Sequence, residues 1–214
     1  MMKEFGSMRR ADVEEASRRA ASAVTEAARR SGLEDVAVAM VDSPVGELLV
    51  ATTRRGLVRL AYPDERAEFV LEELAETLSP RVLEDPRALD MVRRQLEEYF
   101  EGRRHRFEVR VDWALAPRGF SRKVLEATAR IPYGAVSTYG DIARRAGSPR
   151  AARAAGNALH DNPIPIVVPC HRVVPSTGGV GKYGGSEWRK EFLLRMEGAL
   201  AGYGDGEETG SRPR

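Results

Sequence analysis

Residues 138–160 decide the fold of the C-terminal part of this chain, and they read TYGDIARRAGSPRAARAAGNALH. Apolar residues at helical spacing predict one helix from about Thr138 to Ala146, and Gly147 ends it. Ser148-Pro149 predicts the start of a second helix that runs to about His160, because proline suits the first helical position. Helix, tight turn and helix is the layout of a helix-turn-helix unit, although any αα-hairpin gives the same pattern.

The second of these helices has an almost bare surface. Small residues flank Arg153, so the helix can approach another backbone closely, whether that backbone belongs to protein or to nucleic acid. A lone arginine on such a face suits insertion into a duplex better than bidentate reading of a base. The candidate DNA-contacting residues are Tyr139, Ala151, Ala152, Arg153, Ala154 and Gly156.

Charge is unevenly distributed along the chain. The stretch from Arg103 to His160 carries twelve arginine and lysine residues against four carboxylates, a net charge of +8, whereas the rest of the chain is at −6 and the whole is at +2. A local excess of this kind is the electrostatic footprint of a polyanion-binding face. A solvated arginine-rich surface explains the same count, so charge alone leaves the choice open.

The composition excludes several classes of protein. The chain has 214 residues, 42% of them hydrophobic and 31% charged, which is enough for a core and excludes overall disorder. No stretch approaches the roughly 20 apolar residues of a membrane span, and no secretory signal is expected. The single cysteine and three histidines argue against a disulfide or a metal cage. We expect a reduced, cytoplasmic protein with no membrane partner, no metal and no cofactor.

The period of the apolar residues divides the chain into segments. Residues 1–35 predict a helical extension, and residues 36–112 predict a small α+β scaffold domain in which nothing points to chemistry. Residues 117–198 predict the helix-turn-helix domain, and residues 199–214 a disordered tail. The fold class is therefore α+β. In the scaffold domain we expect strands at 36–41, 47–51, 57–61 and 107–111, and helices at 65–78 and 86–100.

The most informative stretch for chemistry is residues 162–174, NPIPIVVPCHRVV. Cys170 follows a buried apolar run and Pro169, which prevents a regular ladder hydrogen bond. His171 and Arg172 are both able to stabilise a thiolate. Neighbouring side chains of an extended segment point to opposite sides, so we expect a water molecule between His171 and the sulfur. A free cysteine is nevertheless more often a small buried hydrophobe than a nucleophile.

A glycine-rich loop and a final helix follow. Five glycines between Gly178 and Gly185 let the backbone approach a flat ligand closely, and the loop lacks the features of a phosphate loop. Glu197, at the end of the helix predicted at 186–196, could orient His171 as the acid of a nucleophilic triad does, or it could lie in water. We expect this helix to bury Trp188, Phe192 and Leu193.

These residues resemble a known family. The run Pro169-Cys170-His171-Arg172-Val173-Val174, preceded by Asn162-Pro163-Ile164-Pro165, is similar to the active-site signature of O6-alkylguanine-DNA alkyltransferases, also called methylated-DNA–protein-cysteine methyltransferases. The resemblance covers roughly residues 36–198 and is strongest from Phe120 onward. It implies an RNase H-like N-terminal domain, a winged helix-turn-helix-type C-terminal domain, and a monomer that acts on double-stranded DNA carrying O6-alkylguanine, and also on O4-alkylthymine.

The resemblance also implies roles in the chemistry. Cys170 matches the cysteine that accepts the alkyl group from a flipped-out guanine, so no cofactor is needed and each molecule acts once. His171 matches the base that activates this cysteine through water, and Glu197 the acid that orients the histidine. Asn162 matches the residue that supports the active-site turn. Tyr139 matches the tyrosine that crowds the flipping phosphate and helps O6 to leave.

Further roles concern the DNA and the purine. Arg153 matches the arginine that fills the gap left by the flipped nucleotide. Tyr183 and the backbone of Val173 and Gly184 match the pocket around the purine. Gly184 stands where some members have serine, and Leu125 stands where tryptophan is common.

Three other functions compete with this one. Alkyltransferase-like lesion binders, which are not enzymes, carry tryptophan in place of the cysteine, and Cys170 argues against that class. A cysteine hydrolase would place its histidine far from the cysteine in sequence and would need an oxyanion hole. A helix-turn-helix regulator would bind DNA and use Cys170 only as a structural residue.

Overall fold

The computed structural model describes residues 10–32, 34–181, 183 and 186–200. A four-stranded sheet in the order β3-β2-β1-β4 forms the centre of the N-terminal part, which we call the sheet domain. β1 (Val36–Val41), β2 (Leu48–Thr53) and β3 (Gly56–Ala61) are antiparallel, and β4 (Val82–Glu84) is parallel to β1. Near-continuous runs of buried apolar residues in β2 and β3 suit strands that are covered on both faces. The three strands predicted at 36–61 are confirmed.

One expected strand of the sheet domain is wrong, and one strand was not predicted. The segment 107–111 does not form a strand, and only Val111 makes an isolated bridge, to Leu57. Its alternating apolar residues pack against the core, but the backbone pairs with β3 only around Leu57, whose N–H donates to Arg110 and whose carbonyl accepts from Asp112. The fourth strand is instead β4. Three residues are too few for an apolar period to show in the sequence.

Helices cover both faces of the sheet. α2 (Ala67–Thr77) packs Val70 and Leu74 into a small cluster on one face. α3 (Asp90–Phe100) packs Leu96 and Tyr99 into the main core, together with residues of the C-terminal part such as Ile142. One continuous core therefore joins the two parts of the chain. Each fully buried leucine or isoleucine in it contributes about 1.5–3 kcal/mol.

The predicted N-terminal helix is present as α1 (Arg10–Arg30). It touches the sheet domain through a hydrogen bond from the Thr25 hydroxyl to the carbonyl of Glu84, and Arg54 donates to the carbonyl of Gly32. Val24 on this helix is 65% exposed. An alanine-rich face of this kind buries little apolar area.

The C-terminal part, which we call the helical domain, contains α4 (Phe120–Thr128), α5 (Tyr139–Arg145), α6 (Ala152–His160) and α7 (Glu187–Met196). Two short strands, β5 (Ser137–Thr138) and β6 (Val173–Val174), pair in parallel beside them. Thr138 and Asp141 form a capping box at the start of α5. The structure thus confirms the mixed α+β fold with a helical C-terminal domain.

The helix-turn-helix pair is α5 and α6, and α6 begins at Ala152 rather than at Pro149. Ser148 accepts a hydrogen bond from the N–H of Ala151, so these residues form a turn before the helix. The predicted burial of Trp188 is also wrong, because this residue is 52% exposed, although Leu193 is fully buried as expected. Trp188 lies at the start of α7, and the guanidinium of Arg189 lies over its ring, 5.3 Å from the ring centre.

The tail predicted to be disordered lies outside the described residues from Ala201 onward. Within the described residues, no helix is both long and apolar enough to span a membrane. The same residues contain no cluster of histidine, cysteine and carboxylate side chains that could hold a metal ion.

Candidate active site

Asn162 organises the turn that carries Cys170. Its side-chain amide donates to the carbonyl of Val168 at 2.9 Å and to the sulfur of Cys170 at 3.0 Å, and its oxygen accepts from the N–H of Ile164 at 3.1 Å. Within this turn Ile166 has a φ of 70°, a conformation that is costly for a β-branched residue. One buried amide therefore holds a strained turn together and fixes the position of the sulfur.

Cys170 begins a single 3₁₀ turn, Cys170–Arg172, and not the extended segment expected from the sequence. Its side chain is 7% exposed, and the hydroxyl of Tyr183 lies 3.8 Å from the sulfur. Burial raises the pKa of the Cys170 thiol, against the opposing effects of the Asn162 and Tyr183 hydrogen bonds and the charge of Lys190. The thiol is therefore protonated at neutral pH and needs a base to react quickly.

His171 is fully buried and pairs with Glu197, since its Nε2 lies 3.0 Å from Oε1 of the carboxylate. A carboxylate only accepts hydrogen bonds, so Nε2 carries the proton and Nδ1 keeps its lone pair. Nδ1 has no hydrogen-bond partner among the described residues. Burial lowers the pKa of His171, which keeps the imidazole neutral. His171 thus presents a basic nitrogen, although no direct hydrogen bond joins it to the sulfur in the described part of the chain.

Arg172 binds Glu197 and does not face the sulfur, contrary to the expectation that it stabilises a thiolate. Its Nε donates to Oε2 of Glu197 and one terminal nitrogen donates to Oε1, both at 2.8 Å. Its other terminal nitrogen donates to the carbonyl of Ile131 at 2.6 Å. Burial raises the pKa of Glu197, but the hydrogen bonds from His171 and Arg172 outweigh it and hold the pKa at about 2. Glu197 is therefore a buried anion, and the alternative of a glutamate in water is excluded.

The sheet domain also reaches this carboxylate. Tyr99 on α3 is 1% exposed, and its hydroxyl donates to Oε1 of Glu197 at 2.5 Å. The backbone N–H of Gly134 donates to the other carboxylate oxygen at 3.3 Å. A side chain of the predicted scaffold domain thus contacts the carboxylate that pairs with His171.

Lys190, unlike Arg172, is a buried cation that acts on the sulfur. Its ammonium group donates to the carbonyl of Val173 at 2.7 Å and lies 5.9 Å from the centre of the Tyr139 ring. Burial lowers the pKa of Lys190 to about 8, and the charge of Cys170 acts in the opposite direction. A cation at this place favours negative charge on the sulfur.

Two cavities meet at Cys170 and Tyr183. One of about 260 Å³ lies beside α6 and includes Tyr139, Gly156 and Asn157 in its lining. The other, of about 590 Å³, lies between the two domains. Cys170 therefore lines both the cavity beside the helix-turn-helix and the cleft between the domains. The larger cavity is lined on the sheet-domain side by Arg59, Tyr62, Asp64, Glu65 and Glu73.

The exposed face of α6 matches the small-residue surface expected from the sequence. Arg153 and Ala154 are exposed, and within the described residues Arg153 forms no ion pair. A Cβ atom added at Gly156 would lie 3.7 Å from the Tyr139 ring, so a larger side chain would press on this ring. Ala151 and Ala152 are partly buried at the start of the helix.

Comparison with known proteins gives the family. The model described as 6-O-methylguanine DNA methyltransferase, ribonuclease-like domain, matches residues 36–113, and the one described as its DNA binding domain matches residues 119–199. The methylated-DNA–protein-cysteine methyltransferase of Methanosarcina acetivorans is 37% identical over 163 residues, which are 75% of this chain and 97% of that protein. This chain belongs to the methylated-DNA–protein-cysteine methyltransferase family.

Solved structures of this methyltransferase family share the fold. A crystal structure of Mycobacterium tuberculosis O6-methylguanine methyltransferase aligns with a TM-score of 0.67 at 36% identity and covers 77% of this chain and 93% of that chain. A structure of Mycobacterium tuberculosis OGT in complex with DNA aligns with a TM-score of 0.64, also at 36% identity and with the same coverage of 77% and 93%. The RNase H-like character predicted for the N-terminal domain agrees with the ribonuclease-like family model.

The residues that the methyltransferase resemblance singled out fall into two groups. Asn162, Cys170, His171 and Glu197 lie in one buried region of the helical domain, linked by hydrogen bonds in two pairs. The second group borders the cavities or supports their walls. In it, Tyr139 and Tyr183 line the cavities and Val173 is fully buried, whereas Gly184 lies outside the described residues.

The sequence analysis did not identify Tyr99, Tyr62 or Lys190 as residues of the site. Tyr99 binds Glu197, Tyr62 lines the larger cavity, and Lys190 binds the carbonyl of Val173. One signal was available for Tyr99, because it falls on the apolar face of a predicted helix. A buried tyrosine there needs a partner for its hydroxyl. Lys190 gave a similar signal, since a lysine among the core residues of α7 needs buried acceptors.

Proposed function

We propose that this chain repairs alkylated duplex DNA by transferring the alkyl group from O6 of guanine to the sulfur of Cys170. In this reaction the S–C bond forms as the C–O6 bond breaks, and the proton of the thiol is passed on so that guanine leaves in its neutral form. The product thioether has no easy route back, so each molecule acts once. The observation that carries this proposal is that Cys170 lines a cavity bordered by the helix-turn-helix.

His171 acts as the general base. Its unpartnered Nδ1 accepts the thiol proton through one water molecule, since no direct hydrogen bond to the sulfur is present among the described residues. The anionic Glu197 stabilises the imidazolium that forms, as the acid of a triad does. Arg172 keeps that carboxylate ionised, and Asn162 holds the sulfur in line for attack.

Tyr139 and the glycine loop serve the leaving base. Tyr139 lines the cavity beside α6, and burial raises its pKa, so its hydroxyl keeps the proton that it donates towards O6. Tyr183 lines the same cavity, and with the backbone of Val173 and Gly184 it surrounds the purine. Lys190 supports this wall through the carbonyl of Val173.

DNA binding is assigned to α6. Its small residues let the helix enter the minor groove, and Arg153 occupies the gap left in the base stack once the target nucleotide is flipped out. The arginine excess of residues 103–160 supplies phosphate contacts without sequence preference. The chain acts as a monomer in the cytoplasm, a compartment that suits its single free cysteine.

The test is intact mass after incubation with a duplex that contains one O6-methylguanine. The wild type should gain the mass of one methylene group and stop at one equivalent, whereas Cys170→Ser should gain nothing. Tight, lesion-selective binding without a mass change would show a damage-binding protein instead. Repeating the assay with O4-methylthymine tests the second proposed substrate.

A further inference from the structure

Tyr62 brings a second tyrosine of the sheet domain to the active site. It follows β3 directly and lines the interdomain cavity together with Cys170 and Tyr183. Its position is set by the active-site turn itself, because the N–H of Leu60 donates to the carbonyl of Pro163 at 2.9 Å. The strand that carries Tyr62 is therefore fixed relative to the residue that follows Asn162.

The hydroxyls of Tyr62 and Tyr183 form a chain that ends at the sulfur. The two oxygens are 2.9 Å apart, and the Tyr183 oxygen is 3.8 Å from Sγ of Cys170. Each hydroxyl has one proton to donate. In the thiol form, the S–H of Cys170 donates to the Tyr183 oxygen. Once the sulfur has lost that proton, a hydrogen bond donated by Tyr62 to Tyr183 leaves the Tyr183 proton free to point at the sulfur. The reverse order would turn the Tyr183 proton away from Cys170.

Residues that are not part of the Tyr62–Tyr183–Cys170 hydrogen-bond chain hold Tyr62 in place. The guanidinium of Arg189 lies 4.7 Å from its ring centre, and Arg189 is fixed by Asp64 at 2.7 Å and by the Ser186 hydroxyl at 3.0 Å. The backbone N–H of Tyr62 donates to Glu65 at 3.1 Å. The hydroxyl is thus aimed at Tyr183 by contacts from both domains.

We infer that Tyr62 is a positioning residue that directs the Tyr183 proton to the sulfur of Cys170 and so stabilises negative charge there during transfer. This inference rests on the proposed function. Hydrogen bonds in a chain strengthen one another, and a bond to a charged acceptor is stronger than one to a neutral acceptor. As the thiol loses its proton, both hydroxyl bonds become stronger. The sheet domain then acts on the rate of reaction as well as on stability.

Other ionisable groups also surround the sulfur. Lys190 on α7 favours the thiolate, and His171 in the 3₁₀ turn is neutral because burial lowers its pKa. Tyr139 on α5 and His160 at the end of α6 line the smaller cavity beside the sulfur. Among the described residues, no hydrogen bond or ring contact joins any of these groups to Tyr62, so removal of the Tyr62 hydroxyl leaves their charges in place. A change in thiol ionisation in that variant then reports the hydroxyl chain.

The experiment measures the ionisation of Cys170 without DNA. Cys170 is the only cysteine in the sequence, so its alkylation by iodoacetamide can be followed by intact mass from pH 6 to pH 11, a range that extends above the ordinary pKa of a thiol because burial raises the pKa of Cys170. In Tyr62→Phe we expect the midpoint to rise by about 0.5 to 1 pH unit, which slows alkylation about 3- to 10-fold at pH 7, and the rates to converge at high pH. Methyl transfer from O6-methylguanine duplex should slow by a similar factor.

Two further variants make the result decisive. Because Tyr62 acts through Tyr183, the double variant Tyr62→Phe/Tyr183→Phe should titrate like Tyr183→Phe alone. Thr53→Val removes a hydroxyl bond to Asp112 in the sheet domain, away from the site, and should leave the midpoint unchanged. An unchanged midpoint in Tyr62→Phe, or additive shifts in the double variant, would overturn the inference. Absence of methyl transfer in the wild type would contradict the proposed function alone.

Discussion

The hydroxyl of Tyr99 in the sheet domain donates a 2.5 Å hydrogen bond to the carboxylate of Glu197 in the helical domain. Glu197 in turn holds His171, the proposed base, so the orientation of this histidine depends on a residue that lies 98 positions away in sequence from Glu197. The two domains share one core as well as this bond. Loosening the interface would therefore disturb the base directly.

Tyr99→Phe should lower both stability and the rate of methyl transfer. The variant keeps the buried ring but leaves a buried carboxylate oxygen with one donor fewer, at a cost of about 1–3 kcal/mol. Urea unfolding and single-turnover transfer measure the two effects. Tyr133→Phe is the matched control, because that hydroxyl is bonded at 3.2 Å to a neutral carbonyl, that of Met196, and should cost less. Equal losses in the two variants would show that the charge of Glu197 does not matter.

Glu197→Gln should be strongly destabilising at neutral pH. It leaves Arg172 buried without its anion, and breaking a buried pair costs about 3–5 kcal/mol. The pKa of about 2 also sets the pH dependence, because a carboxylate whose pKa is lowered in the folded state stabilises that state above its ordinary pKa of 4.5.

In the wild type this stabilisation should be lost as the pH falls from 4.5 towards 2. The variant should lack that part of the pH dependence. Unfolding by urea at a series of pH values from 3 to 7 measures both curves. Parallel curves for the two proteins would mean that the pKa of Glu197 is the same in the folded and unfolded states.

Transfer by the wild type should be independent of pH above the ordinary pKa of histidine, 6.5, and should fall at lower pH. The proposed base, His171, acts in its neutral form, and burial lowers its pKa, so the midpoint of the fall should lie below 6.5. Single-turnover rates from pH 5 to pH 9 test this. His105→Gln is the control, since His105 is exposed and stacks on Tyr133 outside the site. A rate that rises tenfold per pH unit up to pH 9 would show attack by free thiolate without a base.

The sequence predicted what depends on short-range patterns. The helix pair around Gly147 follows from the spacing of apolar residues, and the turn held by Asn162 lies within nine residues of Cys170. The Tyr62–Tyr183 bond spans 121 positions, and the sequence contains no signal that pairs those two residues. Arg172 was placed beside the sulfur because it is close in sequence, whereas the buried anion of Glu197 attracts it more strongly than a neutral thiol does.

Arg153→Ala should slow transfer from duplex DNA more than transfer from a single strand. The arginine is proposed to fill the gap left by the flipped base, and a single strand has no stacked gap to fill. If Arg153 instead bound a phosphate, its removal would weaken binding to duplex and single-stranded DNA alike. It would also reduce the slope of log affinity against log salt by about one. Arg94→Ala on α3 removes the same charge from an exposed site of the sheet domain and is the control. An equal slowing on both substrates would assign Arg153 to phosphate binding, and no slowing on either would remove α6 from the proposed DNA interface.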